Sequence, residues 1–454
     1  MSRRPLLAVL AVSVLTGCLT RSALPSASRE TLPVGDPPLV VDGDTTQANV
    51  NGLTIIVRRL PSAELAAATL YIKGGARNWR PETSGIERFA FGVAITAGPR
   101  GMTKQAYKRR QLALGAQLEL STTKDVTALS AKGLVSNWDQ TLDLLVDVFL
   151  DPALPEQEIE IRRSQLLTEL EQEGDNPDRQ LRILASRLMF KGHVFETSTG
   201  GTPETLNRFQ RKDLAAYLAG LREAGRLLLV VAGDVDPARI IAGAGRRLGA
   251  LPRGRFVDAP MPPFGFARPR LVTEPRKLPT TYVVSHFAGP SWSDQLYPAS
   301  NIAVDLLSTR LHTEVRSKRG LSYAPYAIFV NDSYLPIGLL HLATTEPNAA
   351  IKVMLDEIRR LQAEPVSSRE LQETKAVFLT RYLSLLDTTD GIVGLLGSAH
   401  LYTGDWRFAR RLPEQMRAVT SEEVQAFARK YLVNLQTVVL GDPTLVDPAV
   451  LLGS

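Results

Sequence analysis

The chain carries one long pattern twice, and that duplication restricts its possible folds more than any single motif does. "PEQEIEIRRSQLLTELE" (155–171) and "SSRELQETKAVFLTRYL" (367–383) are matching charged helical patterns, and Pro152 and Pro365 precede them 213 residues apart. "FQRKDLAAYLAGLREAGRLLLVVAGDV" and "SEEVQAFARKYLVNLQTVVLGDP" also match, with the aspartates of their Gly-Asp turns, Asp234 and Asp442, 208 residues apart. Similar order at nearly constant spacing argues duplication of a whole structural unit. In the first copy "GLTIIVRRL" and "AAATLYIKGGARN" are strand patterns, followed by helical periodicity at 104–117 and 137–150 and by strand signals over Leu118 to Val135. Helices over 156–173 and 177–190 complete it. The second copy replays strand, helix, strand, helix through "TYVVSHFAGP", "NIAVDLLSTRLHTEVRSK", "YLPIGLLHLATT" and 347–362. Between them lies "LPRGRFVDAPMPPFGFARPR", too rich in Pro, Gly and Arg for a regular element. The expected organisation is a first domain over 48–250, a linker over 251–270 and a second domain over 271–450. Each would be an α/β sandwich with helices covering one sheet face, an α+β chain overall.

A length of 454 residues suits two domains better than one core. The net charge of +6 is spread out, and no compact basic-aromatic block occurs, so no nucleic-acid partner is expected. The "KRR" at Lys108 to Arg110 reads as a solvated helix face. At the N-terminus Arg3 and Arg4 precede an apolar run, Leu6 to Leu15, too short to span a bilayer. Residues 1–18 therefore read as a secretory signal. They end in "LTGC", which resembles the lipobox of bacterial lipoproteins. That resemblance implies lipidation of Cys18 and a lipid anchor in the bacterial cell envelope. With Leu19 rather than Asp after the Cys, it implies the outer membrane, facing the periplasm. Cys18 is the chain's only cysteine, so an internal disulfide and a thiolate metal site are both ruled out. Residues 19–47, rich in Ser, Thr, Pro and Gly, read as a flexible tether.

Several segments together carry a further resemblance: "GGARNWRPETSGIERFAFG", "LPEQEIEIRRSQLLTELEQEGDNPDRQL", "VVAGDVDP" and "EVRSKRGLSYAPY". In order and spacing they resemble the M16 metallopeptidases, the pitrilysin, insulinase and processing-peptidase family, over residues 47–445. The resemblance implies two mixed, mainly antiparallel sandwich domains. It also implies an inverted zinc motif, His-x-x-Glu-His, on the helix after Gly85. Histidines at i and i+4 share a helical face and hold one zinc, while the Glu reaches the metal-bound water. Aligned on Gly85, those three positions are Arg88, Phe91 and Gly92. Glu169 matches the family's third ligand, and a second family Glu falls on Arg162. A carboxylate that has lost its dication needs a positive partner, so Glu169 is expected to pair with Arg88 or Arg162. The histidines, His193, His286, His312, His341 and His400, include no i, i+3 or i, i+4 pair that would rebuild a metal site. No metal or other cofactor is expected on this chain.

The second copy keeps what the first has lost. In "EVRSKRGLSYAPY", Arg316 and Tyr323 match a family Arg and Tyr that bind the substrate backbone and polarise the scissile carbonyl. A guanidinium is a fixed fork of donors, and a Tyr hydroxyl donates to an oxygen gaining charge. Gly320 between them is placed for a tight turn. The resemblance implies a non-catalytic subunit of a heterodimer. A zinc-motif paralogue would bring the metal, and this chain would complete a cavity for unfolded peptides and supply Arg316 and Tyr323 to it. Family substrates add as a strand to a sheet edge, here "LELSTTKDVTALSAK", where Glu119 and Leu120 replace the usual Asn-Ala. The alternative reading is a peptide-binding or scaffold lipoprotein. A self-sufficient zinc peptidase is opposed by the loss of all three motif residues.

Overall fold

The duplication is present in five strands of each half. The computed structural model describes residues 39–257, 261, 264–330 and 333–452; the signal segment and Cys18 lie outside them. The first sheet has seven strands: β1 (Val40–Asp42), β2 (Thr45–Val50), β3 (Leu53–Arg59), β4 (Leu65–Lys73), β5 (Gln117–Thr122), β6 (Val126–Leu134) and β7 (Leu227–Gly233). They lie in the order β1-β2-β3-β7-β4-β6-β5. The second has five: β8 (Arg270–Pro275), β9 (Thr281–Ala288), β10 (Tyr326–Val330), β11 (Ile337–Thr344) and β12 (Gln436–Gly441). Taken from its β8 edge, the order β8-β12-β9-β11-β10 repeats β3-β7-β4-β6-β5. In each sheet one pair is parallel, β3 with β7 and β8 with β12, and the other pairings are antiparallel. β7 and β12 are buried along their whole length, which is why "LLLVVAG" is a continuous apolar run rather than an alternating one.

The first sheet begins inside the stretch 19–47 that reads as tether. β1 and β2 form a hairpin, with Asp42 opposite Thr45 and Gly43 at φ 59° in the turn. Its strands are too polar to signal a core, because they extend the sheet's outer edge. Between the last helix of the first half and β8, the described residues form no helix or strand, and Arg270, the last residue of the expected linker, already opens β8.

The helices of the first half are α1 (Ile86–Ala97), α2 (Lys104–Leu114), α3 (Trp138–Leu150), α4 (Glu156–Glu171), α5 (Pro177–Met189), α6 (Pro203–Arg208), α7 (Arg211–Gly220) and α8 (Pro237–Leu248). Those of the second are α9 (Tyr297–Leu311), α10 (Pro347–Ala363), α11 (Ser368–Leu385), α12 (Thr389–Thr403), α13 (Phe408–Ala418), α14 (Ser421–Tyr431) and α15 (Pro448–Leu452). Most pack on one face of their own sheet. The opposite face is not left bare, because each half lends it a helix of the other. Ile392, Val393 and Leu396 of α12 join Ile56, Tyr71, Leu228 and Val230 of the first sheet in one core. Leu181 and Ala185 of α5 join Val284, Leu339, Val438 and Leu440 of the second. The helices exchanged, α5 and α12, each follow one of the matching long helices, so the exchange is reciprocal. Gly397 permits it on one side: a Cβ there would lie 2.4 Å from the Tyr71 hydroxyl oxygen. Polar contacts cross as well: the Tyr334 N–H donates to Asp125 at 3.0 Å, and His341 Nε2 lies 3.2 Å from an Asp178 carboxylate oxygen.

Candidate functional site

The start of α1 is set by Gly85. Its φ of +83° is left-handed, and a Cβ there would meet the Gly201 Cα at 2.6 Å, so only glycine begins the helix at this point. This places residues 88 and 92 one turn apart on the face of α1 that meets α4. On α4, Arg162 and Glu169 are seven residues apart and share one stripe. The four positions converge. Arg88 Nη2 donates to Glu169 Oε2 at 2.6 Å, and Arg162 Nη1 reaches Glu169 Oε1 at 3.5 Å. Glu169 thus pairs with both arginines. The side chains of Arg88 and Glu169 are each about one-third exposed, at 32% and 33%. Gly92 makes room for Arg162, whose Nε lies 2.7 Å from where a Cβ would stand. Burial pushes the Arg162 guanidinium below its ordinary pKa; Glu169 pulls it back up and Arg88 pushes it down further.

Phe91 sits off this stripe, 1% exposed, with its ring stacked on Phe149 at 6.5 Å between centroids. These residues do not fit a zinc ion. A guanidinium carries no lone pair and keeps its charge, Phe and Gly offer no donor, and Glu169 is left as the sole ligand type. Among the described residues, no group of three or more His, Cys, Asp or Glu side chains is placed to hold a metal. The histidines are scattered. His193 accepts the Phe195 N–H through Nδ1, His341 stacks on Tyr326, and His286 and His400 are held down to about 4 by burial.

One residue of this site has no sequence signal. Glu87, next to Arg88 but turned inward, is 1% exposed and accepts from Trp79 Nε1 at 2.9 Å, from the Tyr217 hydroxyl at 2.6 Å and from the Thr127 hydroxyl. Trp79 lies just before it in the chain, but Thr127 and Tyr217 come from distant stretches, and only the fold assembles them. A buried carboxylate with three donors fixes the rotation of α1 and hence the direction of Arg88.

Arg316 and Tyr323 form a second cluster. After α9 the chain continues as a π-helical turn, His312–Ser317, and Gly320, at φ +65°, reverses it. The Arg316 guanidinium then lies over the Tyr323 ring, 4.5 Å from its centroid, and 3.3 Å from His312 Nε2. Glu314 takes Lys318 and Arg319, each at 2.7 Å, which hold its carboxyl below the usual range. Arg316 has no carboxylate partner among the described residues, and Tyr323 is 79% exposed. Both groups are therefore open to an incoming acceptor. Of the stretch 118–132, only β5 is a sheet edge, because β6 lies inside between β4 and β5. α1 packs against β5 and so borders that edge.

Two family models match, one described as insulinase (peptidase family M16) over residues 54–202 and one as peptidase M16 inactive domain over 208–378. Together they span well over half of the chain. The word inactive belongs to the domain so described and carries no information on the first half. A Bacillus subtilis protein named uncharacterized zinc protease YmxG is 23% identical over 407 residues, 87% of this chain and 97% of its own. The mitochondrial-processing peptidase subunit beta of Saccharomyces cerevisiae is 23% identical over 433 residues, 89% and 93% of the two chains. Among solved structures, a peptidase M16 inactive domain from Pseudomonas fluorescens superposes with a TM-score of 0.80 at 20% identity, over 88% of this chain and 98% of that one. A protease from Helicobacter pylori gives 0.78 at 16% identity, over 87% and 99%.

Proposed function

This chain belongs to the insulinase family of peptidases, M16, and we propose that it works there as a metal-free subunit beside a zinc-bearing paralogue. The observation that carries the reading is the ion cluster of Arg88, Arg162 and Glu169, which stands where the family motif would place a metal. The Arg162 side chain fills the space beside Gly92, and both guanidiniums pair with Glu169. The exposed Arg316–Tyr323 pair supports the second part of the proposal. With a peptide held between the chains, Arg316 orients its backbone through the guanidinium fork. The Tyr323 hydroxyl donates to the carbonyl oxygen as it gains charge. The partner supplies the metal that activates water. One relative is itself named as a subunit, which favours a shared assembly.

The same proposal places the protein on the bacterial envelope, anchored through a lipid on Cys18 and facing the periplasm. Unfolded peptides are its substrate class, since the open edge of β5 offers backbone pairing to an extended chain. The test is reconstitution. This chain alone is expected to cleave no peptide, and mixing with a zinc-motif M16 chain from the same envelope should restore cleavage. Peptidase activity of the isolated chain, or full activity of the pair with both Arg316 and Tyr323 replaced, would sink the reading. A peptide-binding or scaffold role without any catalytic partner is the second reading, favoured by the open β5 edge beside α1.

A further inference from the structure

We propose that the former metal position in the first half is now a carboxylate-binding site that captures the free C-terminus of a peptide laid along β5. The cluster contains two guanidiniums and one carboxylate, so one positive charge is in excess. The donors are only partly used. Arg88 gives one N–H to Glu169 and has no other acceptor among the described residues, and about a third of its side chain faces solvent. Arg162 spends Nη1 on Gln165 and Glu169 and packs its Nε side against Gly92, which holds it in place behind Arg88.

An anion entering from solvent therefore meets the free side of Arg88, with Arg162 adding charge from behind. A guanidinium binds a carboxylate through paired N–H donors and suits this ligand better than an ammonium would. The neighbouring strand narrows the ligand class. β5 ends its sheet with an unpaired backbone edge, and α1, which carries Arg88, packs against it. A free inorganic anion would use the arginines alone, whereas an extended peptide ending in a carboxylate uses both features. Glu169 competes with that carboxylate for the same guanidinium and limits its affinity.

This inference rests on the reading that the first-half cleft takes peptides, and it does not need a partner chain. The experiment is fluorescence anisotropy with the full chain and a labelled, unstructured ten-residue peptide, prepared once as the free acid and once as the C-terminal amide. A charge-assisted pair predicts about tenfold tighter binding of the acid. Arg88→Gln should abolish that preference and leave amide binding unchanged. Glu169→Gln, which removes the internal competitor, should strengthen acid binding even if it weakens the fold; a purely structural role predicts no gain. Inorganic phosphate at millimolar concentration should compete with the acid and not with the amide. Equal binding of acid and amide, or a preference that survives Arg88→Gln, overturns the carboxylate site and leaves the peptide cleft standing. Binding of neither peptide overturns both.

Discussion

Replacing Glu169 by Gln should destabilise the protein more than replacing Arg88 by Ala, although Arg88 makes the shorter contact. The structure gives the reason. Glu169 is shared between Arg88 at 2.6 Å and Arg162 at 3.5 Å, so its neutralisation leaves two guanidiniums facing each other. Loss of Arg88 leaves Arg162 still paired. A fully exposed pair contributes about 0.2–1 kcal/mol, and breaking a buried one costs about 3–5 kcal/mol. With side chains about one-third exposed, solvent screening places the Arg88 contact near the low end, about 1 kcal/mol. Glu169→Gln loses two charge-assisted contacts and adds repulsion, for about 2–3 kcal/mol. Because the two halves share a core, the unfolding entropy is that of the whole body, and this corresponds to a fall in Tm of roughly 2–4 °C, against roughly 1 °C for Arg88→Ala. Thermal unfolding followed by circular dichroism at low salt and again in 0.5 M NaCl is the assay. Salt should shrink the gap by screening the repulsion. A Glu169→Gln protein as stable as wild type, or a reversed order of the two variants, would refute the shared-carboxylate argument.

Other consequences are independent. Arg316→Ala and Tyr323→Phe should leave the melting midpoint within about 1 °C, since both groups are exposed, but lower partnered cleavage by about 10²-fold; a large loss of stability would assign them to the fold instead. Burial holds His286 at about 4, below its usual 6.5, so the unfolded chain takes up the proton first and stability falls as pH drops from about 6.5 to about 4. That imidazole alone contributes about 3 kcal/mol to the fall, and His286→Leu should flatten this part of a denaturant-derived stability profile. Restoring the motif with Arg88→His, Phe91→Glu and Gly92→His should not yield stoichiometric zinc by elemental analysis, because Arg162 fills the space beside residue 92; one zinc per chain would contradict that packing. Cys18→Ser should move the protein from the membrane to the soluble envelope fraction, and unchanged membrane association would remove the lipid anchor.

Much of the site was legible because helix spacing is local. Gly85 fixes the register of α1, so the substitutions at 88, 91 and 92 can be read directly, and a carboxylate without a metal implies a cation nearby. That both arginines share Glu169 was not legible, because it depends on the distance between α1 and α4. That the two sheets share one strand order followed from the duplication, while the order itself did not. The exchange of α5 and α12 did not, since an amphipathic helix shows that it buries a face but not which sheet receives it. β1 and β2 escaped notice for a different reason. β1 is only three residues long, the Thr, Gln and Asn of β2 are too polar to read as a strand, and the turn signals beside them are Asp42-Gly43 and Asn51-Gly52. Glu87 needed two remote donors beside Trp79 to become a buried structural carboxylate, and no pattern along the chain announces such a meeting.

The central claim is that this chain is the metal-free partner in a shared peptidase. Its most direct test is native mass spectrometry, with metal counting, on the complex drawn from its own membranes by mild affinity purification. The expected result is an equimolar complex with a zinc-motif M16 chain, carrying one zinc that leaves with the partner when the two are separated. Recovery of this chain alone, or of this chain with its own stoichiometric zinc, would contradict it.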